Sequence, residues 1–405
     1  MASSPAVGAS EALLAAAAAY LYPNYRQPPM IIVRGRGSEL WDADGRRYLD
    51  LYAGIAVTTL GHAHPRLSAA IAEQAARLIH VSNYFYNEPN VRLAERLCAL
   101  THMDRAFFCN SGTEAIEAML KLARRFFYDR GERDRYRIIA FENSFHGRTL
   151  GALAATGQPK YRDGFGPLPG ASHVAYGDVD GVVAQMGPDV AGIIVEAVQG
   201  EGGVLPAPRG FLAELRRVCD EHGALLLADE VQTGVGRTGT FLAFEHDGVE
   251  PDAVALAKAL GGGVPIGAML CKQRLSEALP AGSHGSTFGG NPLASAAALA
   301  VLDVLDSEKL VAGAAEKGRH LARALAGLVE RHARYVAGTR GRGLLQVLVL
   351  KDEIDARNVL TRLREEGLLL TLAGGQGLRF SPALTVSEGD LDEGVAIVDR
   401  VLGSL

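Results

Sequence analysis

Apolar and polar positions follow two rhythms in this chain, and the rhythm changes near His64. Between Pro23 and Leu60, short apolar runs stand between turn signals. Residues 30–33, 39–41 and 48–51 are predicted strands, with Asp44-Gly45 as a hairpin turn. Beyond His64, segments with helical spacing alternate with short β-rich runs. Helices are predicted over 65–79, 90–100, 114–128 and 210–222, and strands over 105–108, 137–141, 192–195, 224–228 and 253–257. That alternation predicts an α/β fold, a mostly parallel sheet between helices. After Asn291-Pro292, an Ala/Leu-rich stretch to Leu328 predicts one long helix, with room for a kink. The remainder predicts a smaller α+β unit, with strands at 344–350 and 378–381 and helices at 354–366 and 388–402. The expected division is a segment 1–60 that joins the small domain, a large domain 61–300, and a small domain 301–405.

Composition narrows the function. A chain of 405 residues with 48% hydrophobic and 21% charged residues can bury a large core. Its net charge of −5 gives no electrostatic case for nucleic acid or an anionic membrane. The four cysteines lie in separate apolar contexts without CxxC spacing, which predicts free buried thiols and no metal site. No apolar stretch reaches the roughly 18 residues that span a bilayer. Residues 13–22 are Ala-rich, but no Lys or Arg precedes Arg26, so a signal or transit peptide is not expected and the cytoplasm is.

The candidate chemistry clusters at strand ends. Lys258 closes the apolar run from Asp252 and precedes Gly261-Gly-Gly263. A lysine against apolar backbone loses charge readily and can serve as a nucleophile for a carbonyl cofactor; the alternative is a lysine that snorkels to solvent. Asp229 ends the run 224–228, where an acid needs a cationic partner, either a pyridinium nitrogen or an Arg of the core. Asn110-Ser-Gly-Thr-Glu-Ala115 opens a helix and suits a phosphate, while Ser111 and Glu114 also fit a capping box. Phe145 follows another strand and could stack on a flat ring or fill the core. Neighbouring His146 suits either catalysis or a structural hydrogen bond, and Arg148 suits a carboxylate. The loop Gly285–Asn291 offers hydroxyls for a phosphate or a tight subunit contact. Arg379 lies in an apolar strand, so it is either paired or awaits an anion. Gly234-Val-Gly236-Arg-Thr-Gly239 matches a dinucleotide fingerprint and raises a nicotinamide-dependent dehydrogenase, but Asp229 to Thr233 part it from the strand and no clean helix follows. A phosphate cradle, a strand-end acid, a stacking aromatic, a desolvated lysine and two arginines together are what pyridoxal phosphate requires.

With those residues in view, the chain resembles the class III, fold-type I pyridoxal-phosphate aminotransferases, and within them the acetylornithine aminotransferases. The resemblance runs from about Tyr25 to the C-terminus. It is carried by Leu60-Gly-His-Ala-His-Pro65, Phe107-Phe-Cys-Asn-Ser-Gly-Thr-Glu-Ala115, Phe145-His-Gly-Arg-Thr-Leu150, Gln199-Gly-Glu-Gly-Gly203, Asp229-Glu-Val-Gln-Thr-Gly-Val-Gly-Arg-Thr-Gly239, Lys258-Ala-Leu-Gly-Gly-Gly263 and Gly285-Ser-Thr-Phe-Gly-Gly-Asn-Pro292.

The resemblance implies roles at the matching positions. Lys258 would be the Schiff-base lysine, Asp229 the partner of the ring nitrogen, Phe145 and Val231 the two ring faces, and Gln232 the neighbour of the ring hydroxyl. Gly112 and Thr113 would bind phosphate with Thr287 of a second subunit, which makes the enzyme a homodimer. Tyr25, Asn83 and Ser286 would lie at the substrate end. Arg148 would take a remote carboxylate, Arg379 the α-carboxylate of glutamate, and Glu201 would pair with Arg379 when the terminal-amine donor is bound. The implied donor is N2-acetylornithine, with succinylornithine, N-succinyl-diaminopimelate, 4-aminobutyrate and ornithine as alternatives. Ile55 stands where ornithine aminotransferases carry tyrosine. Ile116 and Ala197 depart from the common Asn and Pro, so local packing is expected to differ while chemistry is kept.

Overall fold

A computed structural model describes residues 9–405. Its centre is a seven-stranded sheet in the order Arg105–Cys109, Gly267–Cys271, Ala253–Leu256, Leu225–Asp229, Val190–Val195, Arg137–Phe141, Ala171–Val174. The three strands from Ala253–Leu256 to Val190–Val195 are buried at every position. This is why they read as continuous apolar runs: parallel strands covered on both faces have no solvent side to mark. The exception to parallel pairing is Gly267–Cys271, antiparallel to both neighbours. That strand and Ala171–Val174, 5 and 4 residues long, were not predicted.

The predicted hairpin forms. Glu39–Asp42 pairs antiparallel with Arg47–Asp50 around Asp44-Gly45, and Ile32–Arg36 adds a third strand. Leu368–Leu369 then pairs parallel with Arg47–Asp50, which ties the N-terminal segment to distant chain. Near the C-terminus, Val336–Arg342, Leu345–Leu350, Gly377–Phe380 and Thr371–Ala373 form an antiparallel sheet in that order.

The single long helix predicted after Pro292 is two helices, Pro292–Ser307 and Leu310–Arg331, broken where Lys309 is left-handed at φ 52°. The Ser307 hydroxyl bonds back to the Asp303 carbonyl at 2.7 Å, and Asp306 and Glu308 put negative charge at a negative helix end. The cysteines are free, with Cys98 only half-buried and the other three buried. Among the described residues no helix is long and apolar enough to cross a membrane.

What this architecture delivers is a set of strand ends. Asn110, Glu196, Asp229 and Lys258 follow or end four of the central strands, and all four line one cavity of about 380 Å³. Ligands in open α/β sheets bind at such carboxyl ends.

Candidate active site

Lys258 stands where the strand Ala253–Leu256 turns through extended Ala257 into the short 3₁₀ turn Lys258–Gly261. Its own φ is 32°, a left-handed value that costs a non-glycine residue about 1 kcal/mol or more. The side chain is partly buried, and its accessible part opens onto the cavity. Burial pushes the amine below its ordinary value, aided by Arg379, while Glu201, Asp229 and Glu196 pull the other way. The net direction favours a free, nucleophilic amine over the snorkelling alternative.

Asp229 is 4% exposed, and among the described residues no arginine pairs with it. Its Oδ2 lies 2.7 Å from His146 Nδ1, and its Oδ1 accepts a bond from Val231 N at 3.0 Å. His146 is thus a buried partner of the acid, itself fixed by its backbone N–H donating to Thr156 Oγ1 at 3.0 Å. Beside it lies a carboxyl that the sequence reading missed. Glu196 lines the cavity, accepts from Phe145 N at 3.3 Å, and is held well above the carboxylate range by burial and by the charge of Asp229. It directly follows the apolar strand Val190–Val195, much as Asp229 closes its own, so a similar signal was there to be read.

The loop after Arg105–Cys109 runs into the helix Gly112–Tyr128, which starts two residues earlier than predicted. Gly267 lets the neighbouring strand pass beneath it: a Cβ there would stand 2.3 Å from the Ser111 carbonyl oxygen. Ser111 Oγ accepts from Glu114 N at 3.3 Å, a true N-cap. The Glu114 carboxylate reaches back to Asn110 rather than to Ser111, so the reciprocal half of the capping box is displaced by one residue. Gly112 and Thr113 occupy the first turn, where N–H groups have no intrahelical acceptor and the helix dipole favours an anion. A Cβ on Gly112 would stand 2.6 Å from Val231 Cγ1, so glycine is what allows the phosphate loop and this wall to meet. The Thr113 hydroxyl is 2.9 Å from Thr149 Oγ1.

Phe145 and Val231 both line the cavity, and Phe145 is braced edge-on by Tyr161 at 5.5 Å. The two arginines differ sharply. Arg379 is 1% exposed and its Nη1 donates to Glu201 Oε1 at 2.5 Å and to Gln232 Oε1 at 3.3 Å, while Nε donates to Thr371 Oγ1 at 3.1 Å. Gln232 Nε2 also donates to Glu201 Oε1 at 3.3 Å. Burial pushes the Glu201 carboxyl up, but Arg379, Lys258 and the hydrogen bonds outweigh it and leave it below its ordinary value. Arg148 also lines the cavity, with its guanidinium 4.1 Å above the Tyr161 ring.

Four of the expected positions, Tyr25, Asn83, Ser286 and Thr287, do not line this cavity within one chain. Tyr25 is 74% exposed and Thr287 is exposed; neither lines the cavity. Ser286 is half-buried and accepts from Asn110 Nδ2 at 3.2 Å, and Asn83 Nδ2 donates to the Ser286 carbonyl at 2.8 Å. Val57, from a loop in which Ile55 is left-handed, lines the cavity without any signal in the sequence. Ile116 is wholly buried in its helix and Ala197 wholly buried beside Glu196. The glycines of the dinucleotide fingerprint lie in turns with no helix until a short 3₁₀ turn at Ala243–Asp247, which removes the dehydrogenase reading.

A buried amine, an acid with a fixed partner, an aromatic and an aliphatic wall and an open helix N-terminus in one cavity fit pyridoxal phosphate. The model of the class-III aminotransferase family matches residues 20–402, and the chain belongs to that family. It is a pyridoxal-phosphate-dependent enzyme of the fold-type I kind. The chain is 50% identical to the acetylornithine aminotransferase of Myxococcus xanthus over 96% of its own length and 98% of the relative's. It is 46% identical to the succinylornithine transaminase/acetylornithine aminotransferase of Pseudomonas aeruginosa over 95% and 96%. The solved ornithine aminotransferase of Toxoplasma gondii superposes with a TM-score of 0.93 at 34% identity, covering 98% of this chain and 95% of that one.

Proposed function

We propose that the enzyme transfers the terminal amino group of N2-acetyl-L-ornithine to 2-oxoglutarate, giving N-acetyl-glutamate 5-semialdehyde and glutamate, a step of arginine biosynthesis. The observation that carries this is the inequality of the two arginines: among the described residues Arg148 meets no carboxylate, while Arg379 is held by Glu201. An acylated diamino acid brings one carboxylate, remote from the reacting amine. Glutamate brings two, one beside the reacting amine and one remote. Arg148 binds the remote carboxylate of either substrate. Glu201 neutralises Arg379 when the terminal-amine donor is bound and yields to the α-carboxylate of glutamate.

Pyridoxal phosphate, when bound, supplies a carbonyl that carries the amino group and a ring that withdraws electrons from the substrate carbon. The residues do the rest. Lys258 Nζ moves the proton at the substrate carbon, burial holding its amine below the ordinary lysine value. Asp229 holds positive charge at the ring nitrogen, and His146 fixes the orientation of that carboxylate. Phe145 and Val231 would flank the ring, Gln232 would lie toward the ring hydroxyl, and Gly112 and Thr113 would hold the phosphate. Thr287 completes the phosphate site from a second copy of the chain, and Tyr25, Asn83 and Ser286 border the substrate, so the proposed enzyme is a homodimer. Exposure of Tyr25 and Thr287 in the single chain supports that reading. The division at 1–60, 61–300 and 301–405 is likewise proposed, supported by the pairing of Leu368–Leu369 with Arg47–Asp50. The proposed compartment is the cytoplasm, supported by four free thiols.

The test is the absorbance of the purified yellow protein while N2-acetylornithine is added without 2-oxoglutarate. Loss of the yellow band is expected; its persistence overturns the donor. Succinylornithine is the second reading, favoured by the double name of the Pseudomonas relative, and a faster loss with it would reverse the order.

A further inference from the structure

Arg237 and Arg379 are the two largest fully buried side chains among the described residues, each 1% exposed, and Arg237 is not used by the chemistry above. No acid offsets it: burial alone acts on the guanidinium and pushes it down to about 9. Among the described residues its Nε and Nη2 have no hydrogen-bond partner. Such a buried cation is weak evidence for stability, because an apolar residue of the same size often does as well. Its geometry is more informative. Nη1 alone donates twice, to the Leu344 carbonyl at 3.1 Å and to the Pro382 carbonyl. The Arg237 carbonyl accepts from Leu344 N at 3.0 Å.

Those two carbonyls flank adjacent strands. Leu344 leads into Leu345–Leu350, and Pro382 lies just beyond Gly377–Phe380, the strand that carries Arg379. The strands pair with Val347 opposite Arg379. Arg237 itself sits on the turn that leaves the cavity wall after Val231 and Gln232. That wall has anchors of its own. Asp229 Oδ1 takes Val231 N, buried Glu230 takes Phe244 N at 3.0 Å, and the Glu230 carbonyl takes Gly234 N at 2.9 Å. The strand pair keeps bonds of its own, Leu344 N to the Arg237 carbonyl at 3.0 Å and Ser381 N to the Leu51 carbonyl at 2.9 Å, so releasing the guanidinium loosens the Pro382 end of that pair against the wall and leaves the wall in place.

We infer that Arg237 is a positioning residue that pins the Arg379 strand to the cavity wall and so sets how well Arg379 meets a substrate α-carboxylate. This rests on the proposed role of Arg379 in the glutamate half-reaction. The two halves should then respond unequally. A small displacement of a carboxylate-binding group costs rate only for the substrate that uses it.

The experiment uses the holoenzyme with Arg237→Lys, which keeps one donor, and Arg237→Met, which keeps length and removes all donors. Each half-reaction is followed separately by the cofactor absorbance. In Arg237→Met the apparent affinity for glutamate should weaken about tenfold while the response to N2-acetylornithine stays within about twofold, and Arg237→Lys should recover part of the loss. Equal losses in both halves, or none in either, overturn the inference. Amide hydrogen exchange without substrate gives a second readout: Gly377–Phe380 should exchange faster in the variants while Leu225–Asp229 does not. Unchanged exchange in Gly377–Phe380 overturns it whether or not the wild-type enzyme accepts either substrate, whereas a wild-type enzyme silent to both substrates overturns the proposed function instead. If the Met variant does not fold, the Lys variant carries both readouts.

Discussion

Arg148 and Arg379 present the same guanidinium in opposite surroundings. Arg148 is exposed and stacks on Tyr161, which leaves its hydrogen-bonding edge free. Arg379 is buried, and its edge is already spent on Glu201, Gln232 and Thr371. Stacking makes a standing receptor, open to any carboxylate that arrives. Pairing makes a conditional one, because a ligand must first outcompete an acid that is itself partly buried. A buried charge deprived of its partner costs several kcal/mol, so Glu201 is what lets Arg379 face a substrate with no second carboxylate.

The comparison can be broken in several places. Arg148→Gln should lower kcat/KM by about 10²–10³-fold in both half-reactions, and a loss confined to one half would end the idea of a standing receptor. Arg379→Gln should cost about 10²-fold in the glutamate half and leave the terminal-amine half within about threefold, measured by single-turnover absorbance. Glu201→Ala should reverse that selectivity, slowing the terminal-amine half about tenfold; an equal loss in both halves refutes the exchange of partners. The smallest effect is on pH. The Glu201 carboxyl lies below its unfolded value of 4.5, so its pairing energy is present above that value and is lost as pH falls through the lower folded one. The wild-type preference should therefore survive acidification to 4.5 and decline only below it, read as the ratio of the two half-reaction rates.

Some of this was legible in the chain and some was not, for physical reasons. Lys258 and Asp229 stood out because each closes a buried apolar run, a pattern contained in a few adjacent residues. The partner of Asp229 was not legible, since His146 is 83 residues away and nothing local distinguishes a histidine that braces an acid from one that faces water. The Arg379–Glu201 contact spans 178 residues and was expected only through resemblance to a family. Gly267–Cys271 escaped notice because Gly267-Ala-Met-Leu-Cys271 carries no β-branched residue, so its short apolar run does not declare a strand. The break at Lys309 depended on Ser307 and two acidic residues at a helix end, a weak signal inside a strongly helical composition.

The placement of Gly267–Cys271 has a consequence for how the molecule is made. Arg105–Cys109, which leads to the Gly112 helix, is an edge strand and touches the sheet only through Gly267–Cys271. A nascent chain on the ribosome can synthesise Gly112 early, yet it has no sheet to dock that strand on until Cys271 has emerged. The anion-binding end of the pocket is then completed by a non-local pairing, the slow kind in folding. Vectorial synthesis thus delivers the lysine and the acid before the strand that closes the sheet, and a ribosome stalled before Gly267 would hold a chain whose central strands are ready and whose cofactor site is open on one side.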